Sequence, residues 1–541
     1  HNDMKESWPQ TYAEASTTYK AYLRVLIAEA RRRGATPILI TPMHRRNFDA
    51  NARIVNTLGD YPDAMRQTAK EEAVPLIDLN AMSAVFYEAL GPLRAPVAFA
   101  AGGRDSTHHS AYGAYELAKC VVQGIRDSKL ELAAYLAPDV QPFDPAHPDP
   151  IPASYRFDFS SGAAALGFTK VLPGTVYTDD RGYGFEPVTS EKPPFYFSVK
   201  VPEEGNYRVT VQLGDRAAES VTTVKAELRR LMLERVHTAP GRVETRSFIV
   251  NTRRPQIAGG GEVRLKDREK TSEGWAWDDR ITLEFTDTHP AVGSVEIEKA
   301  DGIPTLYIAG DSTSTDQSRE PFNSWGQMLT RFFKPEIAVA NHGESGESLK
   351  SYIGEKRLAK VMSVIKPGDW LFIQMGHNDQ KLTGAGVGAF TTYKAALKQF
   401  IAEARQHGAT PVLITPMHRL TFDSNGKIVN SLGDYPEAVR QTAKEENVAM
   451  IDLNAMSKSF YEALGPEQGH LAFAGQDTTH HSDYGSYELA KCIVQGIKDA
   501  RLPLMKYLVE MPVFDPAHPD PVEKFDVPAE PLGAVEKPYG R

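Results

Sequence analysis

The sequence predicts an α/β protein in which two copies of a parallel-sheet domain, the first partial and the second complete, are joined by an antiparallel β-sandwich. Three observations carry that expectation. The chain repeats itself at long range, each copy alternates buried strands with helical patterns, and the stretch between the copies alternates apolar and polar residues with period two.

The repeat is direct. GATPILITPMH at 34–44 returns 374 positions later as GATPVLITPMH at 408–418. IDLNAMS at 77–83 returns at 451–457, and DSTHH at 105–109 returns as DTTHH at 477–481. His1-Asn2-Asp3 matches His377-Asn378-Asp379, but LYIAGDST at 306–313 and ANHGESGES at 340–348 have no counterpart ahead of it. The tail after Pro521 is too short for a circular permutation to supply them. The chain is therefore expected to be a larger tandem entered partway through its first copy.

The expected division is a partial domain at 1–140, a Pro-rich linker at 141–152, the sandwich at 153–300, the complete domain at 301–510 and a Pro-rich tail at 511–541. With 541 residues, the chain is too long for one hydrophobic core. Its formal net charge is −9 with no dominant Lys/Arg block, which argues against nucleic acid as a partner. No apolar run is long enough to span a membrane, so no membrane partner is expected either. Cys120 and Cys492 are equivalent positions of the two copies and read as buried apolar residues on a helix.

The elements follow in order. Tyr155–Phe159, Phe195–Val199, Tyr207–Val211 and Arg280–Phe285 alternate as antiparallel strands, separated by Gly, Pro and Asp. Beyond them, Thr305–Ala309, Trp370–Met375 and Pro411–Ile414 read as buried strands, with helical patterns such as Tyr393–Arg405 between. Strands alternating with helices imply a parallel sheet, whose ligands sit beyond the carboxyl ends of the strands.

Those ends carry the candidate chemistry. The first delivers Gly310-Asp311-Ser312-Thr313, where Ser312 is placed to act as a nucleophile, although Asp and Ser also suit helix caps. Asn341–Gly346 contains glycines that let a backbone N–H approach a ligand, or simply turn the chain. Gly376-His377-Asn378-Asp379 places an amide donor at a strand end, where Asn is also a common turn residue. Asp477 precedes His480 by three residues, a spacing at which a carboxylate can bond the imidazole and fix its tautomer. The adjacent pair His480 and His481 lacks an evident third ligand, so no metal site is expected.

Taken together and in this order, these blocks resemble the SGNH (GDSL) hydrolase superfamily over about residues 304–510. GDST, GHND and DTTH, with TPMHR between, are similar to the rhamnogalacturonan acetylesterase family in particular. FDFSSG at 157–162, GYGF at 182–185 and TTVKAELRRLMLE at 222–234 resemble the galactose-binding-like β-sandwich module that often precedes such domains. The resemblance implies flavodoxin-like, three-layer αβα domains, one partial and one complete, and a secreted or periplasmic location.

It also implies roles. Ser312 is the nucleophile, His480 the general base and acid, and Asp477 the orienting carboxylate; Ser312, Gly346 and Asn378 form the oxyanion hole. Asn2, Asp105 and His108 are the matching remnants of a possible second site in the first copy. Trp325, His418 and Arg419 are candidates for substrate contact, and Trp275 and Trp277 could stack on sugars or fill the core. One departure is Glu347, where many relatives place Arg. The implied activity is deacetylation of a plant cell-wall polysaccharide, rhamnogalacturonan or pectin before xylan, with no cofactor. The alternatives are a non-catalytic carbohydrate-binding protein and an acylhydrolase or lipase of the same superfamily. Other domains of a longer tandem chain are expected partners.

Overall fold

A computed structural model describes residues 1–529 except 101–104, 138–139, 150–153, 163, 165–167 and 188–193. The end of the expected linker (150–152) and of the expected tail (530–541) thus lies outside the described residues. The chain divides into two compact units, His1–Pro152 and Ala153–Arg541.

In the first unit, β1 (Leu39–Ile40) and β2 (Leu76–Ile77) pair in parallel. Around them lie α1 (Lys20–Arg32), α2 (Tyr61–Glu71), α3 (Leu79–Arg94) and α4 (Ala111–Asp127). Phe86, Tyr87, Phe99 and Cys120 form the centre of the apolar cluster between α3 and α4.

Among the described residues, the second unit opens with ten strands: β3 (Ser154–Asp158), β4 (Thr169–Lys170), β5 (Tyr183–Phe185), β6 (Phe195–Lys200), β7 (Gly205–Leu213), β8 (Ser220–Ala226), β9 (Arg230–Thr238), β10 (Glu244–Thr252), β11 (Arg280–His289) and β12 (Val292–Lys299). They form two five-stranded sheets, ordered β10-β7-β12-β3-β4 and β5-β6-β11-β8-β9. All pairings are antiparallel except β3 with β4. The period-two pattern explains the packing. Tyr207, Val209, Val211 and Leu213 alternate along β7 and are all fully buried against Phe197, Val199, Ile281 and Leu283 of the other sheet.

The rest of the second unit is built on five parallel strands: β13 (Thr305–Gly310), β14 (Ala338–Asn341), β15 (Trp370–Gln374), β16 (Thr410–Ile414) and β17 (Ala449–Ile451), ordered β14-β13-β15-β16-β17. The connecting helices are α5 (Trp325–Leu329), α6 (Leu349–Gly354), α7 (Arg357–Val364), α8 (Lys394–Gln406), α9 (Tyr435–Glu445), α10 (Leu453–Gln468) and α11 (Asp483–Asp499). Successive strand residues face opposite layers. Leu306, Ile308 and Phe372 pack with α5, α10 and α11, whereas Tyr307, Ala309 and Ile373 pack with α6 to α9.

The sandwich and the parallel sheet share their interior. The β8–β9 turn is tight, with Glu227 and Arg229 at φ of 55° and 61°. Leu231 beyond it belongs to the same apolar core as Trp325 and Leu329. The Leu228 and Leu231 carbonyls accept hydrogen bonds from Gln327 Nε2 and Thr330 Oγ1, each at 2.7 Å. Buried Arg229 pairs with Glu320 and, at 3.4 Å, with Asp483, while Arg230 Nε donates to Asp316 at 2.6 Å. From the far end of the chain, Phe514 and Val527 are buried in that core, and Lys225 Nζ donates to the Pro528 carbonyl at 2.9 Å.

Candidate active site

Strand β13 runs at the interior of the sheet and turns sharply after Gly310. A Cβ at Gly310 would lie 1.9 Å from Ser314 Oγ, so this turn admits no side chain there. Asp311, fully buried, holds the turn by accepting from the Thr313 N–H at 3.0 Å and the Thr313 hydroxyl at 2.7 Å. Its second oxygen faces His377 Nδ1 at 3.3 Å. Ser312 is thereby presented beyond the carboxyl end of the strand.

His480 arrives from the loop preceding α11. Ser482 caps that helix by accepting from the Gly485 N–H, which fixes where the loop ends. His480 Nε2 lies 2.9 Å from Ser312 Oγ, and Nδ1 lies 3.0 Å from Asp477 Oδ2. An ionised carboxylate only accepts, so Nδ1 carries the hydrogen and Nε2 turns its lone pair to the serine hydroxyl. Burial acts to raise the Asp477 carboxyl, but the bond from His480 and the backbone N–H groups of His480 and Thr479 outweigh it. Asp477 is held well below the usual carboxylate range and stays ionised.

Asn378 follows β15. Its Nδ2 donates to the Glu347 carbonyl at 3.0 Å and its Oδ1 accepts from Lys381 Nζ at 3.1 Å, so the amide has one orientation. Gly346 sits at φ 84° just before Glu347, a backbone conformation that suits glycine. Ser312, Asn378 and His480 line one depression of about 200 Å³, together with His377, Lys381, Arg419, Thr478 and Thr479. Gly346 adjoins it through the Glu347 carbonyl and is not among its lining residues.

Of the residues expected to touch substrate, Arg419 lies at this depression, donating to the His377 carbonyl at 3.3 Å. The other two are corrected. Trp325 is fully buried in the core and donates its indole N–H to Gln374 at 3.1 Å, so no sugar can reach its ring. His418 is buried beneath the loop, with its backbone N–H on Ser457 and its imidazole pushed down to about 4 by burial. Trp277 is likewise internal, bonding Glu269 at 2.8 Å. Lys381 was not singled out by its sequence context. Its position three residues after Asn378, on the short 3₁₀ turn Asp379–Lys381, is the signal that places it at the rim.

Glu347 has a structural explanation. Fully buried, it pairs with Lys266, which comes from the segment between β10 and β11, and stands 3.6 Å from Arg357. The acid is thus held by cations rather than offered to a ligand. In the first unit, Asp105 and His108 keep the second copy's arrangement at 2.7 Å, with the imidazole largely exposed. Asn2 accepts from the Lys5 N–H through its backbone carbonyl at 3.1 Å. Among the described residues, no group of three or more His, Cys, Asp or Glu is arranged to hold a metal ion.

Residues 308–486 match the model of the GDSL-like Lipase/Acylhydrolase family. The chain is 39% identical over 219 residues to rhamnogalacturonan acetylesterase RhgT of Bacillus subtilis (strain 168), covering 38% of this chain and 94% of that protein. It is 41% identical over 217 residues to the probable rhamnogalacturonan acetylesterase YesY of the same organism, covering 38% of this chain and 97% of that one. Among solved structures, the Bacillus subtilis protein YxiM is 24% identical, with a TM-score of 0.38, over 65% of this chain and 99% of that chain.

Proposed function

The chain belongs to the GDSL-like lipase/acylhydrolase family, and we propose that it is a serine carbohydrate esterase that removes O-acetyl groups from a plant cell-wall polysaccharide, rhamnogalacturonan before xylan. The observation that carries this reading is the continuous relay from Asp477 through His480 to Ser312 beside the Asn378 amide. The named relatives support the acetyl ester and the polysaccharide. A depression of about 200 Å³ lined by polar side chains suits an acetyl group and the sugar oxygen that bears it better than a long acyl chain.

The chemistry follows from the geometry. His480 Nε2 takes the proton of Ser312 as Oγ attacks the acetyl carbonyl. Charge gathers on the carbonyl oxygen, where the Asn378 amide and the backbone N–H groups of Ser312 and Gly346 are assigned as donors. Asp477 stabilises the imidazolium. The sugar oxygen departs with the proton from His480, leaving an acetyl-enzyme, and water then repeats the sequence to release acetate. No step needs a cofactor.

On this reading the ten-stranded sandwich is a galactose-binding-like module between a partial and a complete esterase domain, and the protein works outside the cytoplasm. Asp105 and His108, with Asn2, are the corresponding parts of a second site that needs its own serine.

Ser312→Ala tests the assignment. Acetate release from acetylated rhamnogalacturonan should fall about a thousandfold or more with the circular dichroism spectrum unchanged. Turnover near the parent's would overturn it.

A further inference from the structure

The peptide that joins Ser345 to Gly346 carries two groups on opposite edges. One is the Gly346 N–H, assigned above as an oxyanion donor, and the other is the Ser345 carbonyl. In a planar trans peptide the two point in opposite directions, so whatever fixes the carbonyl also aims the N–H. Two cations fix it. Lys266 Nζ and Arg268 Nη2 each donate to the Ser345 carbonyl at 2.6 Å. A carbonyl oxygen has two lone pairs, and both are thereby taken, which holds the peptide plane against rotation. Among the described residues, the Gly346 N–H donates to no other group of the protein.

Both cations lie outside the esterase fold. They belong to the segment between β10 and β11, Arg268 on the 3₁₀ turn Asp267–Lys270 and Lys266 at its cap. The turn is itself anchored. Buried Glu269 accepts from Arg357 of α7 at 2.9 and 2.6 Å, from the Trp277 indole N–H at 2.8 Å and from the Lys266 backbone N–H at 2.8 Å. On the esterase side, the Glu344 N–H donates to the Gly310 carbonyl at 3.0 Å, which ties the same loop to the strand that delivers Ser312. Lys266 pairs with Glu347, and Arg268 with Glu344. With each cation matched by a carboxylate, little net charge reaches the site. What the pair supplies is direction, together with two charge-assisted bonds that polarise the amide whose other end is the donor.

We infer that Lys266 and Arg268 are positioning residues of the oxyanion hole: by gripping the Ser345 carbonyl from behind, the β-sandwich aims the Gly346 N–H at the oxygen on which charge develops. The inference rests on the esterase reading of the Ser312 site. It adds that the esterase's donor set is completed by a segment of the neighbouring fold.

The test uses the full chain, with 4-nitrophenyl acetate as substrate and circular dichroism to establish that each variant is folded at the assay temperature. Loss of one oxyanion donor costs about a hundred- to a thousandfold in kcat, and a misaimed donor loses part of that. Lys266→Met and Arg268→Met should therefore each lower kcat about tenfold, and the double variant more, with KM little changed. Arg268→Lys, which keeps a cationic donor, should recover most of the loss. Where a methionine variant fails to fold, adding Glu347→Gln to Lys266→Met, or Glu344→Gln to Arg268→Met, relieves the buried carboxylate and preserves the comparison. Methylboronic acid supplies a readout that loosened packing alone would not move. Ser312 Oγ adds its lone pair to boron and passes its proton to His480, and the tetrahedral, negatively charged adduct places an oxygen at the donors. Its inhibition constant should rise across the series in proportion to the fall in kcat/KM. A double variant with kcat within about twofold of the parent, or a rise in KM with kcat and boronate affinity unchanged, overturns the positioning role while leaving the esterase intact. Absence of ester hydrolysis in the parent, or hydrolysis that survives Ser312→Ala, overturns both readings.

Discussion

Asn378 gives up half of its hydrogen-bonding capacity to be held still. With Nδ2 on the Glu347 carbonyl and Oδ1 on Lys381, the amide cannot rotate to follow a ground-state carbonyl, and its second N–H is fixed in direction. Asn378→Ala should therefore lower kcat about a hundredfold or more with a smaller change in KM, measured on an acetylated polysaccharide. A rise in KM alone would make Asn378 a binding residue. Its neighbour Asp379 behaves differently. One oxygen accepts from the Leu349 N–H at 2.9 Å, the other is buried without a hydrogen-bond partner, and burial pushes the carboxyl up to about 7. In the unfolded chain the same group titrates near 3.8. The native state thus binds the extra proton between those values, and its contribution to stability, complete below pH about 4, is lost as pH rises through about 7. Asp379→Asn should remove up to about 4 kcal/mol of that dependence, seen as a smaller drop in melting temperature between pH 5 and pH 8 than in the parent. At this scale the sequence was legible where chemistry dictates residue type and place. Ser312, Asn378, Asp477 and His480 each follow a strand end or precede a capped helix. It was illegible where only burial distinguishes two uses of one side chain, as for Trp325, whose ring fills the core that sugar stacking would have required it to leave.

The β8–β9 hairpin is the element that ties the sandwich to the nucleophile. Arg229 Nη1 donates to the Phe322 carbonyl at 3.0 Å and reaches the Gln317 carbonyl at 3.4 Å. Gln317 in turn donates from Nε2 to the Ser312 carbonyl at 2.7 Å. Arg229→Ala leaves Glu320 and Asp483 buried with one partner fewer, and breaking such a pair costs about 3–5 kcal/mol. Thermal unfolding of residues 153–541 should show that loss, and kcat should fall with it because the Ser312 loop loses its support. An unchanged melting temperature would show that the hairpin merely rests on the loop. The longer strands were readable from their alternation or their unbroken apolar runs. Strands β14, Ala-Val-Ala-Asn, and β17, Ala-Met-Ile, are short and poor in β-branched residues, so they exist through pairing with β13 and β16. Nothing local marks Leu231 as a residue of the neighbouring core either, since a strand pattern records which face is buried but not against what.

At the scale of the molecule, every group of the candidate site lies in Ala153–Arg541, one compact unit. That unit produced alone should show the kcat and KM of the full chain on acetylated rhamnogalacturonan, and a large fall would mean that residues 1–152 take part in the reaction. The internal repeat was plain in the sequence because long identical phrases survive in both copies, from the TPMH turn to the Asp-x-Thr-His block. The two copies also share a bond, His1 Nε2 to the Met43 carbonyl and His377 Nε2 to the Met417 carbonyl, both at 3.0 Å, so the repeated phrases close the same loop in each.

The hairpin also bears on how such a chain can be inherited. The interval of 374 residues between the two GATP phrases, at 34 and 408, spans a sandwich and an esterase together. A crossover in the Pro-rich joint at 141–152 transmits Arg229 and Arg230 along with the Asp316, Glu320 and Asp483 they were matched to. A crossover between β12 and β13 would instead hand an esterase someone else's arginines, stranding buried carboxylates beside the nucleophile. An exchange at the joint therefore keeps each arginine with the carboxylate it pairs with, and the sandwich and esterase together, rather than either fold alone, form the piece that can be moved without stranding a buried charge.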